Sequence, residues 1–95
     1  MEYNSFIASL QSDTAPTGIS PWLTALWEDH KGNWDAAHEW IQDFESGNGA
    51  WVHAYLHRKE GDVWNADYWY RKAGKKRPDC SLEEEWELLV KTLSD

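Results

Sequence analysis

Apolar side chains recur every three or four residues along much of this chain, and that spacing places them on one face of an α-helix. One such stripe consists of Trp34, Ala37, Ile41 and Phe44. A second stripe lies near the end of the sequence and consists of Leu82, Trp86, Leu89 and Leu93. Each stripe is expected to face a shared apolar core, so the pattern predicts an all-α protein.

Capping and helix-breaking residues divide the chain into separate helices. Ser20 followed by Pro21 is a typical helix start, and Gly32 is a typical helix end. Ser81 with Glu84 three residues later has the pattern of a capping box. Together with the other glycines, these signals predict helices at about 21–31, 34–45, 50–60, 63–73 and 82–93, preceded by a short helix at about 3–10.

The chain repeats itself when it is shifted by 29 residues,. The matched pairs are Trp22 with Trp51, Leu23 with Val52, Ala25 with Ala54, Gly32 with Gly61, Ala37 with Ala66 and Trp40 with Trp69. Asn33 and Asp62 follow the two glycines and are predicted to cap the next helices. Such short turns favour antiparallel helix pairs. The sequence therefore predicts one domain over 1–95, with two helical hairpins at 21–49 and 50–78 and a capping helix at 82–93.

The formal net charge of −8 argues against general nucleic-acid binding,. The charge is uneven, because 50–78 carries seven bases and three acids while both flanking segments are strongly acidic. The basic residues include the run Arg71, Lys72, Lys75, Lys76 and Arg77. These cations could complement the end of a helix, or they could pair with the acidic bands, within the chain or between copies, which makes a homo-oligomer possible.

Cysteine content and hydropathy bear on location. Cys80 is the one cysteine, so no internal disulfide can form, which is typical of a reducing cytoplasmic setting,. No window approaches 18 apolar residues and the first residues do not have the pattern of a secretion signal, so we expect no membrane partner. No phosphate-binding glycine loop, CxxC or GxSxG motif occurs, and no cofactor is predicted.

Histidines form the most suggestive polar set. His53, His57 and Glu60 lie at i, i+4 and i+7 on one helical stripe,, and His38 could join them if its helix packs there. Two histidines one turn apart can bind a metal ion, and a nearby carboxylate could complete the set. The HxxxH spacing also occurs by chance and lacks the glutamate of zinc peptidases. Histidines hydrogen-bonded at a helix seam are therefore the alternative.

Residues 50–78 resemble a tetratricopeptide repeat. The resemblance rests on Ala54, Gly61-Asp62, Ala66, Trp69-Tyr70, Ala73 and Pro78. Residues 21–49 resemble a weaker copy without the closing proline, and the period of 29 is shorter than the usual 34,. The strings ALWEDHKGNWDAAHEW and WVHAYLHRKEGD also resemble a group of small bacterial proteins with this repeat. The resemblance implies a fold of stacked helical hairpins and no particular activity.

The resemblance also implies where a partner would bind. In tetratricopeptide repeats, the first helix of each hairpin lines a concave face that binds extended peptides. The matching positions are Trp22, Leu26, Asp29, Trp51, Tyr55, Arg58 and Lys59. Aromatic and arginine side chains are typical anchors of protein interfaces. The alternative is that the aromatic residues of this set pack under the first twenty residues and fill the groove.

The sequence supports three hypotheses about function. The first is a non-enzymatic module that binds a protein or peptide on the concave face, which requires exposed aromatic side chains there. The second is a metal- or small-ligand-binding protein, with or without enzymatic activity, whose histidines converge. The third is a self-associating structural domain, whose mass would depend on concentration and fall in salt.

Overall fold

The computed structural model describes residues 1–94 and contains six helices and no strand within that range. The helices are α1 (Tyr3–Ser9), α2 (Pro21–His30), α3 (Trp34–Ile41), α4 (Gly47–Glu60), α5 (Val63–Lys72) and α6 (Leu82–Leu93). The all-α prediction is confirmed. The predicted bounds of α1, α2, α5 and α6 agree closely with the structure.

Three of the six helices begin with a side-chain cap that the sequence predicts, at Ser20, Asp62 and Ser81. The side chain of Ser20 accepts a backbone hydrogen bond from α2, and Pro21 occupies its first position. Ser81 and Glu84 form the predicted capping box of α6. Asn33 is an exception, because its side chain makes no capping hydrogen bond to α3. The capping signals thus locate these helix starts, although one cap acts differently from the prediction.

The boundary between α3 and α4 differs from the prediction. The segment 46–49 was predicted to separate these two helices, yet α4 begins at Gly47 and includes Gly49. A side-chain carbon at Gly49 would lie 2.3 Å from Cβ of Phe44, so glycine is needed there for close packing,. Because α3 already ends at Ile41, Phe44 lies beyond the helix on whose stripe it was predicted.

Helices that are neighbours in sequence pack as pairs, α2 with α3 and α4 with α5, while α3 also packs against α4. The last helix, α6, packs against both α2 and α4. Its Trp86 donates an indole hydrogen bond to the carbonyl oxygen of Leu26 in α2, at 3.0 Å. Phe6 of α1 is fully buried and contacts the ring of Trp86. Both terminal helices therefore contribute to the core.

A buried carboxylate anchors α6 to the rest of the fold. Glu85 is 1% exposed, and its Oε1 lies 2.7 Å from Nη1 of Arg58. The hydroxyl of Tyr70 donates to Oε2 of Glu85 at 2.6 Å, and Arg58 also donates to the carbonyl of Cys80. A buried charge is costly unless it is paired, so the position of α6 is tied to these contacts.

Glu85→Ala is expected to destabilise the protein by about 3 kcal/mol, because it leaves Arg58 and Tyr70 without their buried partner. Lys91→Ala on the same helix is the control. It removes an exposed pair with Glu87 and a contact of Nζ with the ring of Tyr3, and it is expected to cost less than about 1 kcal/mol. Urea denaturation measures both free energies of unfolding, and equal losses would contradict the anchoring role of Glu85.

Candidate metal centre

Three of the four histidines meet between α3 and α4. His53 and His57 are one turn apart on α4, and His38 comes from α3. Nε2 of His53 lies 3.0 Å from Nε2 of His38 and 3.0 Å from Nε2 of His57. The sequence predicted that His53 and His57 share one helical stripe. It predicted that His38 would join them if its helix packs against that stripe. The packing of α3 on α4 brings all three rings together.

The three ring nitrogens have the spacing of ligands around one metal ion. One ligand nitrogen from each ring lies within 4.8 Å of the others. Zinc–nitrogen bonds of about 2.0–2.1 Å place tetrahedral ligand atoms about 3.3 Å apart. The two separations of 3.0 Å are close to that value. The three rings are therefore close enough to act as ligands of one ion.

Hydrogen bonding between the rings accounts for this arrangement only in part. A neutral imidazole Nε2 carries either one hydrogen or one lone pair. Nε2 of His53 therefore has a single hydrogen-bonding position with which to serve two nitrogens. A metal ion would accept a lone pair from every ring at once, and imidazole is a suitable ligand for zinc, copper and nickel. The other nitrogen of His53, Nδ1, is buried without a hydrogen-bond partner in residues 1–94.

Glu60 contacts His57 through Nδ1, the ring nitrogen that does not face the other histidines. Nδ1 of His57 donates to Oε1 of Glu60 at 2.8 Å. This hydrogen bond leaves the Nε2 lone pair of His57 directed toward the other rings, and carboxylates commonly support metal-bound histidines in this way. Glu60 was predicted as a possible ligand, and the structure places it as the partner of His57. Asp62 is also close, but its carboxylate caps α5.

Two tryptophans that the sequence interpretation left out of the site enclose the cluster. The ring of Trp34 stacks on His38 with a centroid separation of 5.1 Å, and the ring of Trp69 stacks on His53 at 3.9 Å. Trp34 is itself fixed by an indole hydrogen bond to the carbonyl of Leu56. The i, i+4 spacing of Trp34 and His38 indicates that these two rings are neighbours on α3. Local sequence carries no comparable signal for Trp69.

Burial favours the neutral form of two histidines in the cluster, because it lowers the pKa of His53 and of His38. Burial, reinforced by the neighbouring His38 and His57, lowers the pKa of His53 to about 3. Burial likewise lowers the pKa of His38, with His57 adding to the effect and Glu60 opposing it. Metal-binding histidines must be neutral. His53 and His38 are therefore in the ligand form at neutral pH.

Three of the residues predicted to line a peptide-binding face belong to the core. Leu26, Trp51 and Tyr55 are buried, with exposed fractions of 0%, 8% and 2%. Trp22 is half-buried and meets the ring of Phe44 edge-on. The peptide hypothesis required exposed aromatic side chains, whereas α6 packs on the two helices that carry this face.

The charged residues predicted on the same face form ion pairs within the protein. Arg58 pairs with Glu85 of α6. Nζ of Lys59 lies 2.9 Å from Oδ1 of Asp29, and the hydroxyl of Tyr55 donates to Oδ2 of Asp29 at 3.1 Å. Peptide binding on this face stays a prediction, and it would require α6 to give up its contacts with α2 and α4.

Comparison with other proteins adds nothing to this geometry, since no known family, curated protein or solved structure matches the chain. Within residues 1–94, no helix combines the length and apolar character needed to cross a membrane. The arrangement of the histidines therefore carries the functional inference.

Lowering the pH from about 7 to about 5 is expected to destabilise the metal-free protein. The pKa of His53 is about 3 in the folded protein against an ordinary 6.5. Between these values the unfolded state binds a proton that the folded state excludes, so the free energy of unfolding falls as the pH falls. His53→Gln should flatten this dependence, and His30→Gln, at an exposed site, should not. Urea denaturation at several pH values measures the free energy of unfolding. If this free energy depends on pH equally in His53→Gln and in wild type, the dependence does not come from His53.

Proposed function

We propose that this protein binds one divalent transition-metal ion through Nε2 of His38, His53 and His57. The observation that supports the proposal most directly is the pair of 3.0 Å separations between these nitrogens. Zinc is the expected ion, because three protein ligands with one open position form a common zinc set. Copper(II) should bind more tightly still, since it leads the affinity order of divalent ions.

The proposed ion would join two parts of the fold. His38 belongs to α3, and the other two ligands belong to α4. We further propose that the hairpins α2–α3 and α4–α5 are tetratricopeptide-like repeats, on the basis of the 29-residue period in the sequence. The ion would then cross-link adjacent repeats, and binding is expected to stabilise the folded protein.

The untagged protein is expected to bind about one zinc ion per chain in isothermal titration calorimetry. His38→Ala and His57→Ala each remove a ligand, so each should weaken binding by more than the 10–100-fold that is typical for loss of an outer partner. His30→Ala is the matched control. His30 is the remaining histidine of the sequence and is exposed, so its loss should leave zinc affinity unchanged.

Thermal or urea unfolding gives a second measure of the same binding. Zinc at about 100 times its Kd should raise the free energy of unfolding by about 2.7 kcal/mol. The same zinc concentration should have little effect on His38→Ala. Equal zinc affinity in wild type and His38→Ala would overturn the proposal, and so would a folded wild-type protein that takes up no zinc.

Glu60→Gln is expected to weaken zinc binding about tenfold, because the amide no longer supports His57 with a negative charge. Glu45→Gln changes an exposed glutamate outside the cluster and serves as the control. Calorimetry with zinc measures both affinities. If Glu60→Gln binds zinc as tightly as Glu45→Gln does, the contact between Glu60 and Nδ1 of His57 does not contribute to the site.

A further inference from the structure

The outer side of α5 carries an aromatic surface that the metal site does not use. Trp64, Tyr68 and Lys72 follow one another at intervals of four residues and form what we call the α5 ridge. Trp64 is 75% exposed and its ring lies nearly parallel to that of Tyr68, 14° apart with centroids separated by 6.4 Å. Nζ of Lys72 lies over the ring of Tyr68. An exposed aromatic pair of this size is typical of an interaction surface.

The charge around the α5 ridge is positive although the chain as a whole is acidic. The exposed cations at the end of α5 and just beyond it are Arg71, Lys72, Lys75, Lys76 and Arg77. Asp67 on the same helix is already paired with Arg77, at 2.9 Å. A partner that covers the ridge should therefore combine carboxylates with an apolar side chain.

The exposed face of α6 has this combination of properties. It carries the exposed acids Glu83, Glu84 and Glu87, and Leu88 among them is 50% exposed. Within residues 1–94, one of these acids, Glu87, forms an ion pair, and its partner is Lys91. None of the three acids pairs with the cations beside the ridge in that range. The chain thus carries both halves of a complementary surface.

We propose that a second copy of this chain covers the α5 ridge with the exposed face of its α6. Lys75, Lys76 and Leu88 line one surface cavity, so the cations that follow α5 lie next to Leu88 on the exposed face of α6 in a single molecule. Two copies related by a two-fold axis can therefore exchange both contacts. Single-stranded nucleic acid would also suit stacked rings beside cations, but the net charge of −8 repels a polyanion,.

Sedimentation equilibrium of the untagged, metal-free protein tests the proposal. The mass should rise from 11.1 kDa toward twice that value as protein concentration increases. It should fall in about 1 M salt, where the Debye length is about 3 Å. Trp64→Ala should remain monomeric at concentrations where wild type is dimeric. Trp40→Ala is the matched control, since Trp40 is 51% exposed but lies on α3, and it should dimerise normally.

Exchanging the charges identifies the two surfaces. Arg71→Glu with Lys72→Glu places two negative charges at the end of α5 beside the ridge, and Glu83→Lys with Glu87→Lys places two positive charges on α6 without changing the capping glutamate. Each double variant should be monomeric alone, and an equimolar mixture should recover a dimer. A wild type that stays monomeric would overturn the proposal, as would dimers unaffected by Trp64→Ala. Salt-dependent binding of a single-stranded oligonucleotide by a monomer, lost in Trp64→Ala, would assign the ridge to nucleic acid instead.

Discussion

The burial of α4 is the constraint on which the rest of the structure depends. Residues 49–56 of this helix are all buried, so polar side chains there need partners inside the protein. Tyr55 finds Asp29 on the side covered by α6. On the side toward α3, His53 lies against His38 and His57. One buried helix therefore determines both where α6 packs and where the histidines meet.

Local signals in the sequence were sufficient to predict most of the helices and part of the site. The capping interactions of Ser20 and Ser81 join residues three positions apart, so they do not depend on tertiary packing,. The alignment of His53 with His57 follows from the helical period alone. The sequence could not predict whether His38 joins them, because that depends on how α3 packs against α4.

Contacts between residues distant in sequence account for what could not be predicted. Glu85 belongs to an acidic run that suggests a solvated helix face, yet its partners Arg58 and Tyr70 are 27 and 15 positions away. These contacts place α6 over the face where a peptide was expected. Trp69 matches Trp40 in the repeat, but Trp69 stacks on His53 while Trp40 is largely exposed. Sequence equivalence therefore did not imply equal surroundings.

X-ray absorption spectroscopy at the zinc edge tests the central claim most directly, because it reports which atoms surround the ion. We predict imidazole scattering from three rings with nitrogens at about 2.0–2.1 Å in the zinc-loaded, untagged protein. His38→Ala should lose one ring from that shell. A shell of oxygen atoms without imidazole scattering would contradict the account, because zinc would then be bound by surface carboxylates and not by the cluster between α3 and α4.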